Sequence, residues 1–176
     1  MMRLLSTFTL LLFTVLAFTS NVNAQASQDR YVGYYYPSPQ QIELYCARVP
    51  QLADITKKRR VGFIIGVKNG MNQQPYETPY AVFAKGSQST KLIIISKVEG
   101  YLNTVYRARA LLADLSTSAR TTPIFAKSKA PEELTFLDLM TILGFNSVTL
   151  SDGGSFSHQI QILSAKHPNC IKTKKS

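Results

Sequence analysis

Within eight residues, Ser151-Asp152-Gly153-Gly154-Ser155-Phe156-Ser157-His158 gathers a carboxylate, three hydroxyls, two glycines and one of the chain's two histidines. A histidine can act as a base toward a hydroxyl while a carboxylate fixes its tautomer, so Asp152, Ser155 and His158 form a candidate catalytic set. The paired glycines also leave backbone amides free to approach an anion. The same residues meet a simpler demand. Asp-Gly-Gly suits a tight hairpin because positive φ is cheap at glycine. Phe156, His158, Ile160 and Ile162 then alternate along one strand face, where a histidine packs. Arg107 and Arg109 are candidates for holding an anion. Two positions apart on a helix they point about 200° from each other, so they cannot jointly clamp one phosphate. Asp114 and Glu99 are their nearest acidic partners in sequence.

Metal and nucleotide chemistry find little purchase. Cys46, His158, His167 and Cys170 are the available soft ligands, and only His167-x-x-Cys170 has a short ligand spacing. A zinc site needs three or four converging ligands, so no metal and no cofactor is assigned. The chain contains neither Gly-x-x-x-x-Gly-Lys-Ser/Thr nor Gly-x-Gly-x-x-Gly after a strand, and Gly62 and Gly66 sit inside a strand-like run.

The setting comes from residues 1–24. Arg3 precedes an apolar run over residues 4–18, and Val22-Asn23-Ala24 supplies small residues for cleavage, with Ala26 as a second register. This layout predicts an export signal. The run is shorter than the ~20 residues a spanning helix needs, so the processed chain is expected to keep no stable membrane span. The periplasm is the expected compartment. There two lone cysteines either pair, Cys46 with Cys170, or remain one buried thiol and one on a mobile tail. With 176 residues, 45% of them hydrophobic, the chain can bury one core, and disorder or a disulfide-dense miniature is excluded. Lys plus Arg number 20 against 10 acidic residues, a net +10 that becomes +9 when Arg3 leaves with the signal. Basic clusters at 57–60 and 172–175 suit anionic surfaces or simple solubility; outside the cytoplasm the polyanions are lipid headgroups and polysaccharides, not nucleic acid.

Those residues need a scaffold. Tyr31 to Tyr36 is β-prone, and Ile42, Leu44 and Cys46 alternate as a half-buried strand would. Residues 61–67 read as a short buried strand, with Asn69-Gly70 as a turn. Strands over 80–84 and 92–96 flank a hairpin loop. Val105, Ala108, Leu112, Leu115 and Ala119 mark a helix over 103–119, capped by Asn103. A second helix runs over 131–143, with Thr135 and Asp138 as an alternative start and Gly144 as its stop. Strands over 145–150 and 156–163 enclose the Asp-Gly-Gly loop. The reading is one α+β domain over 25–164, largely antiparallel with two helices on one face, followed by a basic tail over 165–176.

From Tyr34-Tyr35-Tyr36-Pro37 onward the chain resembles a family of small exported α-proteobacterial proteins of unknown function. The resemblance lies in Pro79-Tyr80-Ala81-Val82-Phe83-Ala84-Lys85-Gly86, Lys91-Leu92-Ile93-Ile94-Ile95, Tyr106-Arg107-Ala108-Arg109-Ala110-Leu111-Leu112-Ala113, Leu134-Thr135-Phe136-Leu137-Asp138-Leu139, Leu143-Gly144-Phe145, and Ser151-Asp152-Gly153 to His158-Gln159. It covers nearly all of the processed chain and implies a Gram-negative envelope. Some members are labelled molybdopterin-guanine dinucleotide biosynthesis protein A. That family's Gly-rich nucleotide loop has no counterpart here, so no catalytic residue carries over. Three functions follow in order: a non-enzymatic domain that binds or supports an envelope component, a small periplasmic hydrolase or transferase using the 151–158 loop, and a nucleotidyltransferase.

Overall fold

The structure is a computed structural model that describes residues 41–126 and 130–172, all within one compact unit spanning 34–176. The leader and the tyrosines at 31–36 lie outside the described residues. The elements are strand β1 (Gln41–Cys46), helix α1 (Lys57–Asn72), strands β2 (Tyr80–Lys85) and β3 (Lys91–Ser96), helices α2 (Val105–Arg120) and α3 (Pro123–Ala126), helix α4 (Phe136–Ile142), strands β4 (Ser147–Ser151) and β5 (Ser157–Leu163), and helix α5 (Pro168–Lys172).

The five strands form one sheet in the order β1-β5-β4-β3-β2. Both expected hairpins are antiparallel, β2 with β3 and β4 with β5. Two parallel pairings join them into the sheet, β3 with β4 and β1 with β5. The register places Val82, Leu92, Ile94, Val148, Leu150 and Ile160 on one face. Those side chains share a single buried core with Ile64 of α1, Leu111 of α2 and Leu139 of α4. The α+β domain with its helices on one sheet face is therefore what the chain forms, with three substantial helices there. At ~1.5–3 kcal/mol per buried aliphatic side chain, this layer is the main driving force for folding.

One expected strand is a helix. Residues 61–67 belong to α1, and Asn69-Gly70 lies inside it rather than at a turn. The Thr56 hydroxyl accepts the Arg59 amide at 3.3 Å, taking up one orphaned donor of the first turn. Four basic residues crowd that positive helix end. Arg59 is offset by Asp54 at 2.8 Å, and Arg60 reaches the Gln88 carbonyl at 3.0 and 2.8 Å. Phe63, Ile64, Val67 and Met71 face the core at helical spacing, while Gly62 and Gly66 are exposed on the outer face.

Two helix starts also move. Thr104, not Asn103, caps α2, accepting the Arg107 amide at 3.2 Å. Pro131–Glu133 is a single 3₁₀ turn, and α4 begins after Thr135 with a reciprocal Thr135–Asp138 capping box. Pro131 cannot start it because Leu134 returns to extended backbone. Gly144 ends α4 at φ +71, where a Cβ would lie 2.6 Å from Ile55 Cγ2. Within the tail, α5 is ordered and buries Cys170.

Candidate functional site

Cys46 and Cys170 are disulfide-bonded with their Cα atoms 5.5 Å apart, settling the pairing that sequence left open. The bond fastens α5 to the end of β1. A second tie holds β1 from the other side. Asp138 is fully buried, and its carboxylate accepts from the Thr135 amide and hydroxyl at 3.0 Å each and from the Arg48 amide at 3.3 Å. Tyr45 of β1 approaches the Thr135 hydroxyl at 3.1 Å, and burial raises its phenol above the ordinary range despite that contact.

The Asp152, Ser155 and His158 candidates are not brought together as a triad. Asp152 closes the β4–β5 turn: it accepts from the Gly154 amide at 2.8 Å, the Phe156 amide at 2.9 Å and the Ser155 hydroxyl at 3.1 Å. Burial pushes its carboxyl up, but these donors together outweigh it and hold the group below the ordinary carboxylate range. Gly153, at φ +80, supplies the backbone conformation this turn needs.

His158 turns elsewhere. It is 2% exposed, and its Nε2 lies 3.2 Å from Glu43 Oε2 of β1. The same oxygen stands 3.2 Å from Arg109 Nη2 of α2. Arg109 and His158 thus meet through a residue that sequence reasoning missed. Glu43 lies far from either in sequence, and only the parallel β1–β5 register, which sets Gln41 beside His158, brings it there. A carboxylate only accepts, so the ring's Nε2–H donates to Glu43. Nδ1 is buried without a hydrogen-bond partner. A base enclosed in this way cannot reach a substrate, and the arrangement reads as a polar clasp between β1, β5 and α2. Arg107 goes its own way, its guanidinium donating to the Gly100 carbonyl.

A concave feature with room for a ligand lies elsewhere on the core face. A cavity of about 530 Å³ opens between α1, α2, α4 and the β2–β3 hairpin. Phe63, Val67 and Met71 form one wall, Leu115 and Leu139 another, and Val82 and Ile94 the floor. Its polar lining is uncharged: Gln74, Thr78 and Tyr80 on one side, Ser118 and Thr122 on the other. The volume falls within the ~300–1,000 Å³ of small-molecule sites, which are mostly apolar with a few polar groups. No signal in the sequence marked it, because one wall belongs to the helix that read as a strand.

Among the described residues, no three His, Cys, Asp or Glu side chains are grouped to hold a metal, and no helix is long and apolar enough to cross a membrane. No protein-family model, curated protein or solved structure matches the chain.

Proposed function

We propose that this chain is an exported domain of the Gram-negative envelope that binds an apolar ligand between α1, α2 and α4 without transforming it. The cavity carries this reading. Its walls are aliphatic and aromatic, the titratable group in its lining is the Tyr80 phenol, which burial raises above the ordinary range, and the buried His158 is engaged by Glu43. Export is supported by the leader pattern at residues 1–24 and goes with a disulfide of the kind oxidising compartments maintain. The basic surface would hold the domain near anionic envelope components.

The fluorescent neutral probe N-phenyl-1-naphthylamine tests the reading. Gly70 lines the cavity and has open space where a Cβ would stand, whereas Gly62 has the same open space but lies outside the lining. Saturable enhancement with the native chain and with Gly62→Phe, lost in Gly70→Phe, is the expected result. Equal enhancement by both variants, or none by the native chain, overturns the assignment.

A further inference from the structure

We propose that the ligand is a single-chain amphiphile with an anionic head, its chain in the cavity and its head at Lys68 and Lys97. The inference rests on the binding reading above and adds the chemical class. A second hollow of about 270 Å³ adjoins the first, sharing Met71, Thr78, Tyr80 and Val82 with it. Lys68 and Lys97 are among the residues that line this hollow. The aliphatic cavity and a hollow with two lysines in its lining therefore share a border at Met71 of α1 and at Tyr80 and Val82 of the edge strand β2.

The rim is arranged to accept an anion. Lys68 Nζ sits 4.7 Å from the centre of the Phe83 ring, a cation–π contact that limits its wandering without neutralising it. Lys97 is paired with Glu77 at 2.6 Å, but Glu77 is 84% exposed, so water readily takes over that carboxylate when a ligand head arrives. Two lysines against one glutamate leave the rim positive, in a chain whose overall balance is also positive. The interior has no charge to pair with a second ionic group, which excludes a dianionic metabolite buried whole. At roughly 30 Å³ per water-sized group, the 530 Å³ interior takes on the order of 15–20 such groups, the size of a medium to long acyl chain. Carboxylate and phosphate heads share the recognition chemistry, so a free fatty acid and a lysophospholipid are both candidate sources.

Calorimetric titration with tetradecanoate, tetradecanoyl-lysophosphatidylglycerol and tetradecanol, each below its micellar concentration, separates the possibilities. The expected result is that at least one anionic compound binds about fivefold or more tightly than the alcohol. The stronger of the two identifies the source. In Lys68→Gln/Lys97→Gln the anion-to-alcohol affinity ratio falls toward one, and in the native chain it falls with added salt. Equal affinity for charged and uncharged chains, or a ratio unchanged in the double variant, overturns the head-group assignment while leaving the apolar site standing. Failure of all three chains to bind, with N-phenyl-1-naphthylamine also failing, overturns both.

Discussion

Removing the Cys46–Cys170 cross-link by the double substitution Cys46→Ser/Cys170→Ala gives a large and calculable loss. The bond joins residues 124 apart. Closing such a loop removes about 16 cal/mol/K from the unfolded chain, or roughly 5 kcal/mol at 25 °C, against the ~2–5 kcal/mol typical when a native disulfide is removed. The loss should lie high in that range because the loop matters to the sheet. Among the described residues, strand β1 pairs with β5 alone, Gln41 beside His158 and Cys46 beside Leu163, so the cross-link encloses the same long loop that this parallel pairing must close. With a urea dependence of about 2 kcal/mol/M, a loss of ~3–5 kcal/mol lowers the unfolding midpoint by about 1.5–2.5 M. Helix α5, five residues long and too short to persist alone, should also lose amide-exchange protection at Ile171. Equilibrium urea unfolding of both forms, with a non-reducing peptide map of the native chain, makes the comparison. A midpoint shift under about 0.5 M would refute the reasoning, because the long-loop constraint would then be contributing almost nothing.

Three further outcomes follow from named contacts. Gly62→Ala and Gly66→Ala face open space on the outer surface of α1, so each should stabilise by about 0.5–1 kcal/mol in thermal unfolding, whereas Gly144→Ala should cost about 2–4 kcal/mol from its positive φ and the clash with Ile55 and Gln51. Asp138→Ala leaves the partly buried Thr135 and Arg48 amides without this acceptor and removes a cap, a loss of about 1–3 kcal/mol measurable in urea. Asp152 is held below its ordinary value, so its contribution is fully present above the unfolded pKa of ~3.9 and is lost as pH falls through the lower folded value. Asp152→Asn should flatten the stability profile in that acidic window and leave its slope near neutrality unchanged.

How legible these features are in sequence depends on how far apart their parts lie. Both hairpins could be read because Gly86 and the Asp152-Gly153-Gly154 turn announce themselves locally. Helix α2 could be read from its 3.6-residue apolar period. Helix α1 was obscured because Val61, Ile64, Ile65 and Val67 are β-branched and crowd into seven residues. The signals that outweigh them are a threonine at the helix start and three glycines four apart, of which Gly62 and Gly66 fall on the solvent side. The α4 start illustrates a local competition: Pro131 suits a first turn, but the capping box at Thr135 satisfies two backbone groups at once. Glu43 and the cavity escape sequence reasoning for one reason. Both are made by elements that meet only after β1 has crossed to β5 and three helices have settled on one face.

The central claim is that the space between α1, α2 and α4 is a ligand site. Methyl-resolved NMR during a titration with N-phenyl-1-naphthylamine tests it most directly. The methyl resonances of Met71, Leu115 and Leu139, which line the cavity, should shift together and saturate, while those of Leu102 and Leu163, buried outside it, hold still. Saturable shifts confined to the exposed Ile42 and Leu44 of β1, with the cavity methyls unmoved, would contradict it.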